Sequence, residues 1–68
     1  MSVTTAVLVR LAEEPSIATQ AELARKLRCD RRDVALALSV LEVQGLVMRG
    51  RDRYGLTKLG HRSVPIVV

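Results

Sequence analysis

The chain contains no phenylalanine and no tryptophan, and Tyr54 is its only aromatic residue. Any hydrophobic core must therefore be aliphatic, and in 68 residues it must be thin. A chain of this size buries only about 60% of its unfolded surface, so marginal stability is expected. There is room for a single domain, 1–68, and not for a second. Cys29 stands alone, which excludes an internal disulfide, and with His61 the only histidine a structural zinc has no ligand set. No second histidine or cysteine completes a nucleophile and base pair, so no enzyme and no cofactor is expected. No apolar run approaches the ~18 residues that would cross a bilayer, and no charged segment precedes a signal-like core. The expectation is a soluble, cytoplasmic protein with no membrane contact.

Charge is present in plenty and is unevenly spread. The net charge is +4, with one base against three acids over 1–24, five against two over 25–33, and five against one over 49–68. Two separated basic blocks fit a polyanionic partner better than an evenly solvated surface would, and nucleic acid is the expected one.

The stretch from Asp30 to Gly45 organises the rest. It opens on an acid able to cap a helix, passes Arg31 and Arg32, spaces Val34, Leu38 and Leu41 at helical intervals, and stops at a glycine. At about 100° per residue, Val34, Ala37, Leu38 and Leu41 share one face, the core side. Arg32, Leu36, Ser39 and Val43 share the opposite, free side.

Before it, residues 4–14 place Val7, Leu8 and Leu11 on one side and form a first helix that Pro15 ends. Residues 16–18 are expected to be extended, with Ile17 packing against later strands. Thr19, Gln20, Ala21 and Glu22 form a capping box that starts a second helix of about two turns. Leu23, Ala24 and Leu27 are its buried side, and Arg25 and Lys26 its open side. Arg28 and Cys29 make a tight turn, and Asp30 is expected to cap the third helix. Cys29 lies among Arg28, Arg31 and Arg32, where its thiol could act as a redox switch. Alternatively, it is a hydrophobic staple to Val34. His61 could sense pH or simply be exposed.

After Gly45 the pattern becomes extended, with Leu46 to Met48 and Tyr54 to Thr57 flanking a polar, glycine-containing tip, as in a β-hairpin. Arg49, Arg51 and Arg53 alternate, so an extended backbone would project them together. The plainer account is a charged loop that blunts an edge strand. Thr57 can cap a final turn, Lys58 to Gly60, and the apolar end, 66–68, could be tucked in, paired or frayed.

This succession closes the third helix on Leu41, Glu42, Val43, Gln44, Gly45, Leu46 and Val47, and the basic hairpin on Tyr54, Gly55, Leu56, Thr57 and Gly60. It resembles the winged helix-turn-helix domain of prokaryotic transcription regulators over nearly the whole chain. The resemblance implies a mainly α fold of three helices plus a small β-hairpin wing. It also implies binding of double-stranded DNA, with the third helix (30–44) in the major groove, the second lying across it, and the wing (49–53) on an adjacent groove or backbone. Carried over by position, it assigns Arg31, Arg32, Ala35, Leu36 and Ser39 to bases and Arg49, Arg51 and Arg53 to the wing. The charge distribution adds Arg25, Lys26 and Arg28 as phosphate contacts.

The free face of the third helix is also apolar at Leu36, Val40 and Val43, which gives the alternative of a winged helix used for protein contact. A homodimer is expected because it would thicken a thin core and match a two-fold DNA site. Its expected contacts are the first helix around Val3 and Val9 and the tail 64–68. No small-molecule ligand is evident from the sequence.

Overall fold

The computed structural model describes residues 2–15 and 19–64. These form, in order, α1 (Val3–Glu13), α2 (Gln20–Leu27), α3 (Arg31–Val43), β1 (Val47–Arg49), β2 (Tyr54–Leu56) and α4 (Lys58–Ser63). The architecture is mainly helical, with one two-stranded antiparallel hairpin. No helix among the described residues is long and apolar enough to cross a membrane.

Helix starts follow the hydroxyl side chains. Ser2, Thr19 and Thr57 each lie in extended backbone and accept a hydrogen bond from the N–H three residues on, at Thr5, Glu22 and Gly60. Each satisfies a donor that a helix start leaves without an intrahelical partner. The Thr19 pair differs from a reciprocal capping box: the Glu22 carboxylate accepts the Thr19 hydroxyl proton at 2.8 Å. Asp30 also departs from expectation. It precedes α3 in extended backbone but makes no side-chain cap bond, so its contribution is its charge near the helix start.

Helix ends follow the backbone. At the end of α3, the Gly45 N–H donates to the Glu42 carbonyl and the Leu46 N–H to the Leu41 carbonyl, with Gly45 at φ 75°. This paired closure requires a left-handed residue, and glycine adopts that region without penalty. The end of α2 repeats the pattern through Arg28 and Cys29, which donate to Arg25 and Ala24, but the left-handed residue there is Arg28 at φ 54°.

The core consists of Val7, Leu8 and Leu11 from α1, Leu23 from α2, Val34, Ala37, Leu38 and Leu41 from α3, and Val47 from β1. Every member is aliphatic, and α3 supplies the largest share because its buried face contacts α1, α2 and β1. The face assignment from periodicity therefore holds. Cys29 is half-buried against this cluster, which includes Val34, and its thiol donates to the Leu27 carbonyl at 3.3 Å.

The hairpin pairs Val47 with Leu56, Met48 with Gly55 and Arg49 with Tyr54. Its tip is drawn tight by the Gly50 N–H donating to the Arg53 carbonyl at 2.7 Å. The chain then turns directly into α4, which is longer than the single turn expected from Gly60. Glycine is needed there for contact: a Cβ at Gly60 would lie 2.0 Å from the Leu46 carbonyl oxygen. Thr57 ties the same junction, donating its N–H to Leu46 and its hydroxyl to the Gly45 carbonyl at 2.6 Å. The expectations for residues 16–18, including Ile17, and for 65–68 lie outside the described residues.

Candidate nucleic-acid interface

Seven of the eleven basic side chains fall into two groups. Arg25 and Lys26 lie exposed in the last turn of α2, and Arg28 is exposed just beyond it. The second group is assembled by the fold. Arg31, at the first position of α3, lines one open groove of about 380 Å³ together with Arg49, Arg51 and Arg53 of the hairpin. The opposite wall is the start of α2, at Thr19, Gln20 and Ala21.

Alternation is not what brings the hairpin arginines together. Only Arg49 lies in a strand, and the chain bends at Arg51 and Asp52. The three share one groove because the hairpin tip approaches the start of α2, whose Thr19, Gln20 and Ala21 line the same space. Tyr54 fixes that approach: half-buried, it accepts a hydrogen bond from the Gln20 side-chain amide at 3.0 Å. On its other side, the Arg49 guanidinium lies 6.0 Å from the ring centre, the outer range of a cation–π contact. Among the described residues none of the four arginines has a carboxylate partner. Among the described residues the one ion pair is Arg10 with Glu14, at 2.7 Å on α1. Asp52, on the rim, is the groove's single acid.

The outer face of α3 is open. Arg32 and Ser39 are exposed there, while Ala35 is half-buried. The Ser39 hydroxyl donates back to the Ala35 carbonyl at 3.0 Å, which leaves its oxygen free to accept. The remainder of this face is apolar, with Leu36 62%, Val40 47% and Val43 88% exposed. Arg32, Leu36 and Ser39 thus lie on one exposed stripe with half-buried Ala35 among them, whereas Arg31 lines the hairpin groove.

Thr19, Gln20 and Tyr54 are groove residues that sequence reasoning did not single out. Thr19 was legible as a cap, and Tyr54 as the sole aromatic, but no local signal links Gln20 to a residue 34 positions away. Among the described residues no group of histidine, cysteine, aspartate or glutamate could hold a metal. His61 is exposed beside Leu11, Pro15 and Tyr54.

The sequence matches no protein-family model, and no curated protein matches it. What this chain does must therefore be argued from its own surface.

Proposed function

We propose that the chain is a winged helix-turn-helix domain that binds double-stranded DNA and acts as a small cytoplasmic transcription regulator. In this reading α3 enters the major groove, α2 lies across it, and the hairpin is the wing. The observation that carries it is the joining of Arg31 at the start of α3 to Arg49, Arg51 and Arg53 in one cationic groove, none of them ion-paired among the described residues. Guanidinium groups left free of internal partners are available to phosphate, which they bind in a planar, two-pronged geometry.

The dimensions agree. With thirteen residues, α3 is about 20 Å long, and a major groove roughly 12 Å wide admits a helix. Arg32 and Ser39 are its polar readers. Leu36 can touch a thymine methyl, and half-buried Ala35 can do so only at close approach. Arg25, Lys26 and Arg28 extend the phosphate contacts along the α2 side.

A second reading is favoured by the exposed apolar stripe of Leu36, Val40 and Val43, which would suit a protein partner docked on α3. Amide chemical-shift mapping with a duplex of mixed sequence separates the two. DNA binding predicts shifts at Arg31 to Ser39 and at 49–54. A duplex that perturbs no amide at low salt would leave the protein-contact reading.

A further inference from the structure

We propose that the groove between the start of α2 and the hairpin tip is also a binding site for a free polyphosphate anion, the di- or triphosphate moiety of a small molecule. Four arginines line about 380 Å³ of space with Asp52 as the one acid among the lining residues, and none of them is neutralised by an ion pair among the described residues. That volume is of the size that holds a small ligand, at the low end of the usual range of roughly 300–1,000 Å³. Four exposed like charges around one groove attract anions, and a chain of phosphoryl groups offers several acceptor oxygens in a row for several guanidinium forks.

The walls suit such a ligand. Tyr54 is tied to α2 by its bond from Gln20, and the Arg49 guanidinium lies 6.0 Å from its ring centre, which keeps that side chain at the groove wall. The tip is held closed by the Gly50 to Arg53 backbone hydrogen bond, which sets the backbone from which Arg49, Arg51 and Arg53 extend. Phosphoryl oxygens are the shared chemistry of two sources, a free polyphosphate and the phosphodiester backbone of DNA. The proposal commits to the first. Its regulatory consequence, that a polyphosphate displaces the hairpin from DNA, rests on the DNA-binding reading above, whereas polyphosphate binding itself does not.

The test uses inorganic triphosphate as the probe, titrated into the full chain by calorimetry and by amide chemical shifts. Saturable binding of one triphosphate per chain is expected, with shifts confined to 19–21, Arg31 and 49–54. The double variant Arg31→Ala/Arg53→Ala should bind at least about tenfold more weakly, since each removes a charge-assisted hydrogen-bonding group. Lys58→Ala/Arg62→Ala removes the same charge from exposed positions on α4 that do not line the groove, and should bind like the parent chain. Thermal melts of both variants show whether each is folded. Equal weakening by the two double variants, or shifts spread over all basic residues, would overturn the proposal in favour of diffuse charge. Absence of triphosphate binding together with weakened duplex binding by Arg31→Ala/Arg53→Ala would also overturn it, leaving the groove to backbone phosphodiester alone. If triphosphate binds as expected but no duplex does, the site stands and the DNA-binding reading fails.

Discussion

Arg28 occupies a backbone position that glycine would fill at lower cost. At φ 54° its Cβ crowds the following carbonyl, a penalty of roughly 1–2 kcal/mol that glycine escapes. Arg28→Gly should therefore raise unfolding stability by about 1 kcal/mol in chemical denaturation. On DNA the same variant should bind more weakly at every sequence, with the salt slope lowered by about 0.9 for one lost phosphate contact. Stabilisation with unchanged DNA affinity would remove Arg28 from the interface. Arg32 and Arg51 divide differently. Arg32 projects from the first turn of α3, so Arg32→Ala should flatten discrimination among sites by ~1–3 kcal/mol, whereas Arg51→Ala should lower affinity evenly. Binding to a panel of duplexes measures both, and even losses for both variants would refute the division. Asp30 shows the limit of reading single residues: its type and position suggested a side-chain cap, yet helix α3 starts without that bond.

At the scale of elements, α3 was legible because one periodic pattern specifies its start, its buried face and its stop within sixteen consecutive residues, from Asp30 to Gly45. The hairpin was legible as a pair of strands but not in its aim. Its arginines line one groove with the start of α2, where the bond from Gln20 to Tyr54 ties the hairpin to that helix and the tip is tight, and neither feature is encoded in strand alternation. Tyr54→Phe tests that coupling. It should lose about 0.5–1.5 kcal/mol of stability, the usual worth of one intramolecular hydrogen bond, and loosen the hairpin against α2. Slower or unchanged amide exchange at 47–56 would argue against the link. The docking of α4 was hidden for a related reason. Gly60 seemed to limit a helix, but it permits close approach to the Leu46 carbonyl, and a Cβ there would meet that oxygen at 2.0 Å. Gly60→Ala should cost roughly 1–3 kcal/mol, as overpacking of a close contact does, and lower the thermal midpoint.

The whole molecule joins a thin aliphatic core to a cationic surface. Nine buried residues, none aromatic, hold the described fold together, and Val3, one expected dimer contact, is already partly engaged with them. Homodimerisation remains our proposal, since it would bury further apolar surface at about 25 cal/mol per Å² and match a two-fold site. Sedimentation at tens of micromolar should show a dimer, and a monomer whose melting is independent of concentration would contradict it. The central claim, recognition of duplex DNA through phosphate contacts, is tested most directly by its affinity for one duplex over a salt series. Log affinity should fall linearly with log salt, and Arg49→Ala, Arg51→Ala and Arg53→Ala should each reduce the slope by about 0.9. No binding at low salt, or an affinity that salt leaves unchanged, would contradict it.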